Sequence, residues 1–287
     1  MFRRILTLPT GRIAVGIIAF IALLAVAGPF LAPYDPLEGG AEILAGPSGA
    51  HWLGTDYLGR DVLSRLLDGS RVSVLGSIQV SLVALVAGVI PGILSVYLGS
   101  VFEWVTLRLA DTLIALPFLV FAVAVTALLG NGIPQAMFTV GIMISPLFFR
   151  VSRAATLSVA RSQYVEAALI SGASVGWVVR KHVWVKVLPP IAVALANTAG
   201  IGFVVVSSLT FLGIGVQPPA PTWGGVLAAD LGYLSFRPWA PLVPTFLIMA
   251  TVWACNLLAD AIRDVSGEAG RALLLNRGRG HVPARTA

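Results

Sequence analysis

Six stretches of this 287-residue chain are apolar for long enough to cross a lipid hydrocarbon layer, and that restricts its fold more than any other feature. A helix needs ~20 apolar residues to span the layer, where every backbone amide must be satisfied without water. The stretches run from Ile13 to Ala32, Val72 to Leu98, Trp104 to Leu129, Ile133 to Phe149, Val187 to Leu212 and Pro241 to Ala261. The fold class expected is all-α, a polytopic membrane protein of six transmembrane helices. Hydrophobic residues make up 57% of the chain and charged residues 11%, which excludes an ordinary soluble domain. Cys255 is the only cysteine, so neither a disulfide framework nor a cysteine metal cluster can form within one chain.

The basic residues orient the spans. With the amino terminus inside, fifteen of them (Arg3, Arg4, Arg12, Arg108, Arg150, Arg153, Arg161, Arg180, Lys181, Lys186, Arg263, Arg271, Arg277, Arg279 and Arg285) fall on the cytoplasmic side. Arg60, Arg65, Arg71 and Arg237 fall outside. Both termini are therefore expected in the cytoplasm. The same bias accounts for the net charge of +6 without nucleic acid as a partner. Arg3, Arg4 and Arg12 ahead of an apolar run resemble the start of a signal peptide, but the run is too long for one and is read as a retained helix. The organisation expected is a cytoplasmic start over 1–12, a first helix over 13–32, an extracytoplasmic segment with an amphipathic helix over 33–71, a five-helix core over 72–266 and a basic, disordered cytoplasmic tail over 267–287.

Between the fourth and fifth spans, on the cytoplasmic side of this scheme, lies a polar, basic island from Tyr164 to His182. Residues from Gln163 to Ser171 favour helix, with Glu166 near its positive end. Gly172 suits a left-handed helix end, and Ser174 suits the N-cap of a second helix through Trp177, Val178 and Lys181. Two short helices joined at an elbow are expected. Glu166-Ala167-Ala168 followed by Gly172 resembles the EAA loop of the permease subunits of ABC importers. That resemblance implies a coupling loop over 161–186 that docks into ATPase subunits through Tyr164, Glu166, Ala167, Ala168, Gly172, Ala173 and Ser174. Val185 stands where such loops usually carry proline, so the exit of the second helix is expected to differ. An amphipathic helix resting on lipid head groups is the alternative that composition permits.

Two further segments narrow the resemblance. Gly54-Thr55-Asp56-Tyr57-Leu58-Gly59-Arg60-Asp61-Val62-Leu63-Ser64-Arg65 is similar to a motif of the dipeptide, oligopeptide and nickel permease family, in its second permease subunit. On the residues alone, Thr55 or Asp56 closes a turn, Gly59 allows a tight backbone, Asp61 begins a helix and Arg65 pairs with Asp61 one turn on. His51, Asp56 and Asp61 are too loosely spaced to read as a metal site. The run from Ser208 to Asp230 is similar to the same family, and implies a face for a substrate-binding protein at Gln217, Pro218, Pro219, Trp223 and Gly224. Trp223 alternatively serves only as an interfacial anchor, and Gly224 to Tyr233 suits a short re-entrant or surface helix.

Taken over residues 12–266, the resemblance implies the MetI-like permease fold in the plasma membrane of a prokaryote and import of di- or oligopeptides, with nickel or another small solute as the alternative. It implies a second homologous permease, two ATPase subunits and an extracytoplasmic binding protein as partners. ATP and Mg belong to those ATPases, because the chain lacks a GxxxxGK[ST] phosphate loop. Its three histidines lie outside the spans, so no catalytic set converges. Two competing readings are a secondary transporter, for which no internal repeat or midplane charge is seen, and a non-transporting scaffold. Within or near the spans, Gln79, Asn197, Thr198, Ser207 and Asn256 are polar, and Asp111 and Asp260 are expected to pair with Arg108 and Arg263. Pro91, Pro117, Pro146, Pro189, Pro190 and Pro244 are expected to kink their helices, for packing or for alternating access.

Overall fold

The computed structural model describes all residues except 1, 131, 217, 218 and 280–287, with the backbone alone for Phe2, Leu169 and the residues beyond Gly267. Its elements are helices: α1 (Phe2–Ile5), α2 (Pro9–Leu31), α3 (Val62–Leu94), α4 (Ser100–Ala115), α5 (Phe118–Leu129), α6 (Ile133–Ala160), α7 (Gln163–Ile170), α8 (Val175–Val178), α9 (Trp184–Phe211), α10 (Trp223–Leu231) and α11 (Leu242–Arg279). A π-helical turn over Val179–Val183 joins α8 to α9 without a break, so Val175–Phe211 forms one 37-residue helix. Residues 32–61 form an irregular segment with an isolated bridge between Thr55 and Asp61.

Among the described residues, five helices are long and apolar enough to cross a membrane, and α4 with α5 makes a sixth if that bent pair is one span. The single span expected from Trp104 to Leu129 is thus two helices, broken at the proline expected to kink it. The pair turns by 100° at Leu116 and Pro117. Leu116, which precedes proline, is extended at φ −75° and ψ 136°, the conformation that proline's ring imposes on its predecessor. Pro91, Pro146, Pro189 and Pro190 by contrast lie inside continuous helices.

The separate amphipathic helix expected before Val72 is the opening of α3 itself, since Asp61 caps that helix and nothing between Val62 and Leu94 interrupts it. Val185, lacking proline's ring and retaining its amide, likewise lets α9 run on from the elbow. At the far end, α11 continues to Arg279, past Gly267 where the tail was expected to begin; its Ala, Leu and Arg residues are good helix formers. Residues 280–287 of that tail lie outside the described ones.

α3 is the central pillar, packed against α2, α6 and α9. Gly88 lies so close to α6 that an added Cβ would meet Phe148 Cβ at 2.6 Å and Phe149 N at 2.9 Å, which lets the two backbones approach. The elbow and the 33–61 segment occupy opposite ends of the bundle. Ile93 and Tyr97, at the end of α3, share a cavity with Val175 and Trp184, whereas Ser73, nearer its start, bonds Trp223 beyond the end of α9.

Candidate functional site

At the elbow, α7 ends in a Schellman arrangement. The Ala173 amide donates to the Ala168 carbonyl at 3.0 Å, and Gly172 takes φ +90°, a conformation that costs any L side chain about 1–2 kcal/mol. Ser174 then accepts the Trp177 amide at 3.3 Å and caps the next helix. Val165 anchors the elbow by burial with Val178, Val183 and Val187. Tyr164, Glu166, Ala167, Gly172 and Ser174 are exposed, and Ala168 and Ala173 half-buried. Five of the seven residues expected to couple are thus exposed at the elbow. Ile170, 81% exposed beside them, was not among the residues expected there. His182 packs between Tyr164 and Trp177, with ring centroids at 5.5 and 5.2 Å.

At the opposite end, the residues from Gly54 to Arg65 form a buried ionic knot. Asp56 Oδ1 accepts the amides of Leu58 and Arg60 at 2.9 and 3.0 Å and closes a turn that Gly59 completes at φ +73°. Asp56 Oδ2 faces Arg60 Nε at 2.8 Å and Arg65 Nε at 3.5 Å. Asp61 caps α3 through the Ser64 amide and hydroxyl, and its other oxygen lies 3.0 Å from His51 Nδ1. Thr55 is fully buried and its hydroxyl accepts the Ala45 amide at 3.0 Å. Gly54 takes φ +68°. The pair expected between Asp61 and Arg65 does not form. Asp61 is committed to the cap, and Arg65 turns instead to Asp56 and to the Pro36 carbonyl at 2.9 Å.

The Ser208–Asp230 run folds onto this knot. Pro219 offers its carbonyl to Arg65 at 3.5 Å. Trp223 and Gly224, expected on a docking face or at an interface, are interior. Trp223 is completely buried, its indole donating to the Leu66 carbonyl at 3.1 Å, and Gly224 presses on Ser207 and Thr210 of α9. A surface tryptophan would leave that indole donor to water, whereas here the turn before α10 carries it between α3 and α9. Gln217 and Pro218 lie outside the described residues.

Two residues that sequence reasoning did not single out complete the knot. Arg237, 3% exposed, donates to the carbonyls of Thr55 and Leu53, the latter at 2.7 Å. Asp230 is 5% exposed with Oδ2 unpartnered among the described residues, and burial raises its carboxyl to about pKa 6 against the pull of Arg237. An arginine on the side where basic residues are scarce was the available signal.

The polar residues of the spans are distributed otherwise than expected. Asp111 pairs at 2.9 Å with Arg150, which α6 brings across, and not with Arg108 three residues before it on α4, whose guanidinium lies over Trp104. Asp260 does pair with Arg263 at 2.9 Å. Gln79 donates to the Pro134 carbonyl at 2.8 Å. No group of three or more histidine, cysteine or acidic residues is arranged to hold a metal among the described residues.

Residues 84–268 match the family model of the binding-protein-dependent transport system inner membrane component, and residues 1–47 match that of the N-terminal transmembrane domain of oligopeptide transport permease C. A glutathione transport system permease of Pectobacterium atrosepticum is 34% identical over 256 residues, covering 88% of this chain and 85% of its own. A di/tripeptide transport system permease of Pseudomonas aeruginosa is 35% identical over 259 residues, covering 86% and 83%. Among solved structures, a chain of the MetNI methionine ABC transporter in an inward-facing conformation superposes with a TM-score of 0.57 at 17% identity, over 69% of this chain and 94% of that one, which shows a shared fold. An all-helical bundle with an exposed Glu-Ala-Ala elbow at one end and the Gly54–Arg65 knot at the other thus belongs to the binding-protein-dependent transport system inner membrane components, the non-catalytic permease subunits of ABC importers.

Proposed function

We propose that this chain forms half of the membrane pathway of an ABC importer for short peptides, with its termini and elbow in the cytoplasm and the Gly54–Arg65 knot outside. The distribution of arginines and lysines supports the orientation. A second, homologous permease completes the pathway, two ATPase subunits bearing ATP and Mg engage the elbows, and a binding protein delivers substrate from outside. The observation that carries the coupling role is the elbow itself: a helix of low profile, exposed at Glu166 and Ala167, fixed from behind by Val165 and ended by a glycine at positive φ. Such a helix fits a groove on another protein, and its carboxylate is free for a charge-assisted hydrogen bond. Glutathione and di/tripeptide permeases among the relatives support a short peptide as cargo.

The test is ATP-driven uptake of radiolabelled dipeptide by the complete complex in proteoliposomes, with Gly172→Trp as the coupling variant. Uptake by the wild type that collapses in the variant is expected. Uptake that needs an ion gradient but no ATPase subunits would overturn the proposal, as would a variant that imports normally.

A further inference from the structure

Beside the ionic knot lies a cavity of about 380 Å³, bounded by Tyr57, Arg60 and Arg65 on one side and by Phe211, Ala229 and Tyr233 on the other. Its volume falls in the range of small-ligand sites. Arg60 and Arg65 are 5% and 7% exposed, and one carboxylate serves both. Asp56 gives one oxygen to backbone amides and the other to the two guanidiniums. Among the described residues no hydrogen bond reaches Arg60 Nη1 or Arg65 Nη2. Counting Arg237 with them, three buried guanidiniums stand near Asp56 and Asp230. Arginines at a cavity wall attract a carboxylate, whose two oxygens match the guanidinium fork.

Phe211 also borders a second cavity, of about 350 Å³, with apolar walls from Leu119, Val204, Leu227 and Ile248. Ser207 lines it as well, 7% exposed, with a hydroxyl that has no partner among the described residues. A basic cavity and an apolar one that share a phenylalanine wall suit a ligand with a carboxylate at one end and an apolar side chain close by.

We infer that Arg60 and Arg65 form a receiving site for the terminal carboxylate of a short peptide, with the neighbouring side chain lodged past Phe211 in the apolar cavity. The inference rests on the peptide reading above and extends it from the translocation pathway to a defined subsite at its outer end. Tyr57 and Tyr233, stacked at 5.3 Å, wall the carboxylate side. Arg60 lies 5.6 Å from the Tyr57 ring centroid, which holds its guanidinium in place.

The test uses the complete transporter in nanodiscs without its binding protein, and two probes, radiolabelled Ala-Phe and its C-terminal amide. Ala229 borders the cavity but takes no part in the ion pairs, so Ala229→Glu adds a competing carboxylate and leaves the knot intact, while Ala229→Gln controls for bulk. Saturable binding of the acid is expected, weakened about ten-fold by amidation and by Ala229→Glu, and less by Ala229→Gln, as for loss of one charge-assisted contact. Equal binding of acid and amide, or an Ala229→Glu variant that binds like wild type, overturns the inference. A further arm measures docking of the ligand-free binding protein. If Ala229→Glu weakens that docking and leaves peptide binding unchanged, the carboxylate belongs to the binding protein and the inference fails. Wild-type uptake separates the two levels: absence of peptide import sinks the peptide reading and this site with it, whereas import with no acid-selective binding sinks the site alone.

Discussion

Asp61 accepts both the amide and the hydroxyl of Ser64 through one carboxylate oxygen, at 2.8 and 2.7 Å. It thereby fixes where the 33-residue pillar helix begins, and its second oxygen holds His51. Loss of an N-cap side chain costs about 0.5–2 kcal/mol, and a buried donor left without a partner adds about 1–3 kcal/mol. Asp61→Ala is therefore expected to lower the melting temperature of the purified permease clearly, and Asp61→Asn, which keeps one acceptor, by less. Equal melting of Asp61→Ala and wild type in detergent would refute the capping role.

Asp230 makes stability depend on pH in a direction opposite to that of a salt-bridged aspartate. Its carboxyl titrates at about 6 in the fold and near 3.8 when free, so between these values the folded chain holds more protons than the unfolded one. Its contribution to stability is greatest below the free value, falls as pH rises towards about 6 and is level above that. Asp230→Asn removes this slope. At pH 7.5 it is expected to stabilise the permease on the order of 1 kcal/mol, by relieving a buried charge. Melting curves of the two proteins should diverge from pH 4.5 to about 6 and run parallel from there to pH 8; curves parallel throughout would show that Asp230 does not titrate there.

The difference between these two aspartates marks how far the sequence could be read. Asp61 was placed at a helix start from its neighbours alone, because a cap acts within three residues. Asp230 acts through Arg237 and the Asp56 knot, and Arg237 reaches Thr55 across 182 residues. No local pattern carries such a contact. The spans were readable because lipid demands a fixed length of apolar helix, yet neither length nor the proline itself tells a kinked span from one broken by 100° at Pro117. Gly172 and Ser174 were likewise readable from local backbone chemistry. Trp223 was misread, because an amphipathic ring suits an interface and a buried hydrogen bond equally, and only the path of the chain decides between them.

Gly172 allows strain in the elbow to be separated from loss of docking. Among the described residues nothing lies within 4 Å of a Cβ added there, so a substitution meets chiefly the cost of its positive φ, about 1–2 kcal/mol, confined to an exposed turn. Gly172→Ala and Gly172→Trp should therefore melt alike as isolated permeases. They are expected to differ in complex, where alanine retains ATPase subunits on co-purification and tryptophan sheds them. Equal retention would mean that no partner surface approaches the elbow.

Gly224 tests whether the close seating of α10 on α9 matters, rather than the burial of Trp223 alone. A Cβ at Gly224 would strike the Ser207 carbonyl and the Thr210 hydroxyl, and α9 cannot withdraw without disturbing Phe203, whose ring stacks on Trp223 at 6.0 Å. Overpacking of this kind costs about 1–3 kcal/mol, whereas Trp223→Ala, which empties a fully buried site, costs about 3–5 kcal/mol. Trp223→Phe keeps most of the volume and loses the bond to Leu66, for about 1 kcal/mol. Melting temperatures are therefore expected to fall in the order wild type, Trp223→Phe, Gly224→Ala, Trp223→Ala. A Gly224→Ala protein as stable as wild type would show that α10 can lift away from α9, and would leave the wall between the two cavities beside the knot movable rather than fixed.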